Sequence, residues 1–252
     1  MVMEFPDYTD ETALTDIFRH NKVDTIISAI LGTAPNLKHV GGHLIDAAVK
    51  SGTVERFCPN SFGIHIGAIP WGISKMVDAK KEMQEKVRDS GMKWTNILVG
   101  GLFSYFLPSL RNGHGSVGSF DHIDTVFHSN SVEDAGLMIA LAATDDRTVN
   151  KYVQFQYNPS TQSKNLALVK RLWPNHEFPE KHLDEFELIR LMHEDSDNDI
   201  WGVLYAVFCM GRTNCADFRG TILGNTIMPS DFKCTTIEEC LSDPSFVFLD
   251  HP

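Results

Sequence analysis

Chemistry in this chain concentrates where apolar runs end. Ser28-Ala29-Ile30 closes the β-rich run that starts at Val23, and Pro59-Asn60-Ser61-Phe62 follows the run from Val54 to Phe57. Ligands of open parallel sheets sit at the carboxyl ends of strands, so the first segment is placed to line a ligand groove. The second also reads as an ordinary turn, because Pro and Asn favour turns. Lys80, Lys81 and Lys86 follow on a helical pattern. A lysine facing a cleft can move a proton if burial or a neighbouring cation lowers its pKa from about 10.4; otherwise three lysines on one helix solvate its outer face. Phe103, Tyr105 and Phe106 suit the wall of a pocket for a planar substrate, and suit core packing equally well.

Metal chemistry is less well supported. His39 and His43 lie four apart, but no third ligand accompanies them and Gly41-Gly42 weakens the helix that would align them. Cys209/Cys215 and Cys234/Cys240 share a spacing that is not a standard zinc pattern, which favours buried thiols. Asp195-Ser196-Asp197-Asn198-Asp199 begins like a calcium loop, yet Ile200 stands where glycine is needed and Ala206 where the bidentate Glu belongs. The segment is expected to be a solvated loop, and no metal site is expected.

The elements that position these residues alternate. After the run at Val23, Leu44, Ala47 and Ala48 mark a helix ending near Gly52. A strand is expected over Val54 to Phe57. Met76, Ala79, Met83 and Val87 mark a second helix, with Gly91 at its C-terminus, before a strand from Trp94 to Val99. Such alternation predicts a parallel sheet flanked by helices, an α/β fold. The pattern changes near Leu107-Pro108. Beyond it lie a β-like run at Thr125 to His128, a helix opened by Ser131 with Asp134 three residues on, and helices broken by proline.

In order and spacing, these segments resemble the NmrA-like and isoflavone reductase-like group of atypical short-chain dehydrogenases. The resemblance is carried by Asp7 to Leu14, Val23 to Ser28, Leu44 to Ala48 with Gly52, Arg56 to Gly63, Lys80 with Gly91 and Thr95, and Phe103 to Phe106. It continues through Ser131 to Gly136, Asp146 to Lys151 and Lys233 to Leu241. It implies a Rossmann-like sheet over residues 1–106, incomplete because its first two strand-helix units are missing, and a smaller substrate lobe over residues 107–252, interleaved with the sheet. It further implies an NADPH-dependent reductase of a small molecule, aromatic ones included, with Lys80 as acid/base. Ser28, Ala29, Ile30, Pro59, Asn60, Ser61 and Phe62 would line the cofactor groove, and Phe103 and Tyr105 the substrate. A regulator that senses dinucleotide or binds a protein partner without turnover is the alternative the same group offers, and a chain that binds no cofactor is a third.

The chain departs from the group at defined places. The glycine-rich phosphate loop with its Gly-x-Gly-x-x-Gly signature, which sets backbone N–H groups and a helix N-terminus against a pyrophosphate, is expected to be absent. The group usually has Glu where Ser61 stands and Asn where Gly100 stands. With Met1 to Phe5 read as the third strand of the order 3-2-1-4-5-6, two strands between it and its neighbours are lacking, so the edge from Thr25 to Ala29 is expected to expose backbone and apolar groups. The chain is therefore expected to be N-terminally truncated, either as a fragment or as a variant that lost its cofactor site.

A net charge of −11 disfavours nucleic acid and anionic membrane surfaces. No apolar run approaches the roughly 18 residues of a membrane span. Five cysteines without a Cys-x-x-Cys pair, and no Asn-x-Ser/Thr sequon, fit a reducing compartment, and a cytoplasmic location is expected.

Overall fold

A computed structural model describes residues 6–103, 117–120, 122–175, 180–195 and 198–243. Its centre is a five-stranded, wholly parallel sheet in the order β1-β2-β3-β7-β9. The strands are β1 (Thr25–Ile27), β2 (Arg56–Cys58), β3 (Lys93–Leu98), β7 (Lys151–Gln154) and β9 (Thr221–Leu223). Register is set by Ile26 opposite Phe57, Phe57 opposite Trp94, Ile97 opposite Val153 and Val153 opposite Ile222. The first three strands come from the segments whose alternation predicted them, with ends displaced by up to three residues. The last two come from beyond Leu107, so one sheet draws on both stretches of the chain.

Successive side chains leave a strand on opposite faces, and both faces are covered. Phe57 joins a cluster with Leu14, Phe18, Leu44, Ile45 and Val87. Its neighbour Cys58 joins Ile97, Val153, Phe155, Met138 and Ala142 on the other face. The first cluster is built on helices α1 (Glu11–His20), α2 (Ala34–Ser51) and α3 (Lys75–Asp89), packed side by side. The second rests on α4 (Val132–Thr144). Each fully buried Phe, Leu or Ile contributes on the order of 1.5–3 kcal/mol.

Local chemistry sets the helix ends. Asp10 accepts from the Ala13 N–H, Ser74 from Val77 and Ser131 from Asp134. Gly52 ends α2 at φ +68°, and Gly91 follows α3 at φ +80°, the left-handed conformation that glycine takes without a Cβ penalty. Helix α2 runs straight through Gly41-Gly42. A Cβ on Gly41 would lie 3.3 Å from the Met83 sulfur, so the small residues bring α3 close rather than breaking α2.

The expected run at Thr125 to His128 is instead a bridge between Phe127 and Ser160, followed by the short β6 (Ser129–Asn130), which pairs with β4 (Gly101–Leu102). β5 (Val117–Phe120) pairs with β8 (Glu180–Leu183). The remaining helices are α5 (Gln162–Leu172), α6 (Glu185–Glu194), α7 (Ile200–Leu204), which continues as a π-helical turn over Tyr205–Cys209, and α8 (Ile237–Ser242). Among the described residues no strand lies outside β1, and Ile27 and Leu31 are exposed on that side. Met1 to Phe5 lie outside the described residues.

Candidate active site

The carboxyl ends of β1 and β2 lie side by side. The Ser28 N–H donates to the Cys58 carbonyl at 2.9 Å, and the Asn60 amide donates to the Ile30 carbonyl, tying the two strand ends together. A cavity of about 30 Å³ opens here, lined in part by Ser28, Ile30, Pro59, Asn60, Lys80 and Met83. Four of the seven expected groove residues therefore meet the expected lysine. Of the other three, Ala29 is exposed. Ser61 is buried and donates to Asn96 Oδ1 at 2.8 Å, and Phe62 packs toward the cluster on α4.

Adjacent lysines of α3 have opposite surroundings. Lys81 is buried, with its ammonium donating to the Ile69 carbonyl at 2.7 Å, 3.4 Å from Asp78 and over the Trp71 ring. Lys86 pairs with Asp46 at 2.6 Å. The alternative in which all three lysines solvate one exposed face is thus corrected for Lys81, whereas the Lys86 pair lies at the surface. Lys80 has no hydrogen bond or ion pair among the described residues. Burial of its amine pulls its pKa down to about 8, because a charge removed from water without compensation is disfavoured. A lysine in this state exchanges a proton near neutral pH.

Beyond the cavity, β3 ends in a turn that only glycine fits. Gly100 has φ +77°, and a Cβ there would lie 2.3 Å from the His128 carbonyl oxygen. The Asn expected from the resemblance is excluded by this backbone. Phe103 is fully buried against Val169, Cys240 and Leu241, in a cluster closed by Trp173. Tyr105 lies outside the described residues, as does Phe106.

Two expectations need correction. A Gly-x-Gly-x-x-Gly string does occur, at Gly113-His114-Gly115-Ser116-Val117-Gly118. It leads into strand β5, whereas a phosphate loop leads from a strand into a helix whose N-terminus faces the phosphate. The other concerns Asp199, expected in a solvated loop. Its carboxylate accepts from Ser74 Oγ at 2.6 Å and from the backbone N–H groups of Lys75 at 2.7 Å and Met76 at 2.8 Å, at the start of the helix that carries Lys80. Ser74 before an amphipathic run signalled the cap, but no local pattern signals a partner 124 residues away.

No group of three metal-ligating side chains exists among the described residues. His39 and His43 stack edge to face at 4.8 Å, and His43 approaches Glu11. Cys234 is held by Asn130 and Asn158, and burial with Asp134 beside it pushes its pKa up to about 12, which removes thiolate reactivity.

No protein-family model matches the chain. Isoflavone reductase homolog P3 of Arabidopsis thaliana is 24% identical over 252 residues, an alignment covering 94% of this chain and 79% of that protein. Isoflavone reductase of Cicer arietinum is 26% identical over 174 residues, covering 64% of this chain and 52% of its own length. The fold agrees with leucoanthocyanidin reductase of Vitis vinifera in binary complex with NADPH, at a TM-score of 0.81 and 18% identity, over 95% of this chain and 81% of that one. The chain is similar to isoflavone reductases over most of its length. The sheet and its flanking helices occur in the order the resemblance implied. Two strand ends and the half-buried Lys80 meet at this cavity. No described helix is long and apolar enough to cross a membrane.

Proposed function

We propose that the chain is an NADPH-dependent reductase of a small aromatic molecule, with Lys80 as the group that transfers the proton. The observation that carries this reading is Lys80, half-buried and without an ion pair among the described residues, in the cavity at the ends of β1 and β2. Ser28, Ile30, Pro59 and Asn60 would hold the nicotinamide, which supplies hydride when bound. Asn60 fixes the relative height of the two strand ends through its bond to Ile30. The apolar walls from Leu37, Ile45 and Phe57 exclude water from the lysine and so keep its proton labile. The names of its relatives, isoflavone reductase and leucoanthocyanidin reductase, support a planar aromatic substrate. In this reading residues 1–106 carry the cofactor side, residues 107–252 cover the substrate, and the protein acts in the cytoplasm.

The test is calorimetric NADPH titration together with NADPH consumption over a panel of phenolic ketones and benzylic ethers, for the natural chain and for Lys80→Met. General acid–base catalysis contributes about 10²–10⁴-fold, so turnover should fall by that factor in the variant while NADPH affinity stays within a few-fold. Equal turnover by Lys80→Met would remove Lys80 from the reaction. NADPH binding without turnover of any compound would favour a dinucleotide-sensing role.

A further inference from the structure

Helix α3 is anchored at its start from a distant part of the chain. Ser74, its own N-cap, accepts from the Val77 N–H at 3.1 Å and at the same time donates to Asp199. The Asp199 carboxylate then accepts the N–H groups of Lys75 and Met76. Four donors are free at every helix start, and an anion there also meets the positive end of the helix dipole. Two more bonds fasten the preceding loop to the same turn: the Gly72 N–H donates to Asp78 at 2.9 Å, and Lys81 donates to the Ile69 carbonyl.

The element that brings Asp199 here is itself closely packed. Asp199 precedes α7, and a Cβ on Gly202 in that helix would lie 2.0 Å from the Ile73 carbonyl oxygen, so α7 touches the backbone just before the cap. From α7 the chain continues through the π-helical turn to Phe208, which stacks on Phe120 at 5.2 Å and meets Phe127 edge to face at 5.6 Å. A continuous strut therefore runs from these three aromatic rings to the first turn of the helix that carries Lys80.

We propose that Asp199 is the positioning residue of this site: by clamping the first turn of α3 to α7, its carboxylate sets how deeply the Lys80 amine sits in the cavity. The three short bonds fix the start of α3, and Lys80 lies less than two turns along a rigid helix from it. If the clamp is lost, the start of the helix moves toward solvent and water reaches the amine. For its consequence in turnover the proposal rests on the reductase reading; the placement of the amine can be measured without turnover.

Lysine amines are labelled by formaldehyde with a cyanoborohydride reductant across a range of pH, and the extent at Lys80 is read by peptide mass mapping. The natural chain should give a midpoint near pH 8. Asp199→Asn, which keeps the shape but weakens the bonds to the N–H groups, should move that midpoint upward by about one unit or more, toward the ordinary lysine value. Ser74→Ala, which removes the local cap but keeps the Asp199 bonds to Lys75 and Met76, should leave it in place although the protein loses stability. Asp199→Glu should restore part of the shift, and it serves as the reporting variant if Asp199→Asn does not fold. An unchanged Lys80 midpoint in folded Asp199→Asn, or equal shifts in Ser74→Ala, would overturn the proposal and leave Asp199 as a helix cap only. Loss of reductase activity in every form, with the Asp199 effect on labelling intact, would count against the proposed function and not against this clamp.

Discussion

Ser61 Oγ donates to Asn96 Oδ1 across 2.8 Å, joining the turn after β2 to the middle of β3 where both side chains are buried. The Asn96 Nδ2 group has no partner among the described residues. Ser61→Ala would leave the carbonyl oxygen of Asn96 unsatisfied as well, at a cost of about 1–3 kcal/mol. Urea denaturation should show that loss as a lower midpoint with an unchanged slope. Substitution by Ala at both positions should cost less than the sum of the two single changes, because neither partner is then stranded.

Lys80 carries a stability penalty at neutral pH. Its folded pKa of about 8 lies below its ordinary value, and burial is the cause. Between about pH 8 and the ordinary lysine value the unfolded chain holds the proton more tightly, so stability rises with pH through that window and the full penalty applies below it. Lys80→Met should therefore stabilise the fold at pH 7 by about 1–3 kcal/mol and remove the rise in alkali. Thermal melts at pH 7 and pH 10 check the stability claim independently of any assay.

His65 is fully buried. It stacks on Tyr152 at 4.3 Å and its Nε2 lies 3.0 Å from Thr221 Oγ1. Burial first, and the Arg212 guanidinium further, depress its pKa to about 4. For a histidine held neutral, stability is intact above the ordinary value near 6.5 and is lost as pH falls toward 4. The loss amounts to about 3 kcal/mol. His65→Gln should flatten the stability profile between pH 6.5 and pH 4, whatever it does to absolute stability. A profile as steep as that of the natural chain would place the acid sensitivity in another group, His128 being the first to test since burial lowers its pKa too.

Gly100→Ala should be among the most damaging single changes in the chain. The residue would need φ +77° and would set its Cβ against the His128 carbonyl, which itself accepts from the Gly101 N–H at 2.8 Å. Backbone cannot yield there as a flexible side chain could. A loss of about 3 kcal/mol or more is expected, and Gly100→Asn should behave no better. Circular dichroism melts of the two variants provide the measurement.

The sequence was most legible where one element repeats one period. Met76, Ala79, Met83 and Val87 place α3 to within two residues, and Gly52 and Gly91 mark helix ends because the left-handed conformation selects glycine. The rule that ligands meet parallel strands at their carboxyl ends placed Ser28 and Ile30 at this cavity, and the resemblance added Pro59, Asn60 and Lys80. Contacts that close over long stretches of chain were not legible. Arg56 shows this: it is buried, and its guanidinium donates to the Ala143 carbonyl at 2.7 Å and the Asp145 carbonyl at 3.0 Å, where α4 ends, about 90 residues away. The inward turn of Ser61 was hidden for the same reason, since its partner Asn96 lies 35 residues on.

The all-parallel order of the central sheet bears on how the chain reaches this state. Each neighbouring pair of strands joins segments separated by at least one helix, and β3 must wait for β7, which begins more than 50 residues later. Loop closure over such distances comes before its reward in contacts, so folding should be slow by the standard of helical bundles of this size. The unit from β1 through α3 to β3 is the most local part and the natural place for ordering to begin. In a cell the half-formed sheet, with β3 still lacking β7, would be the species that chaperones meet.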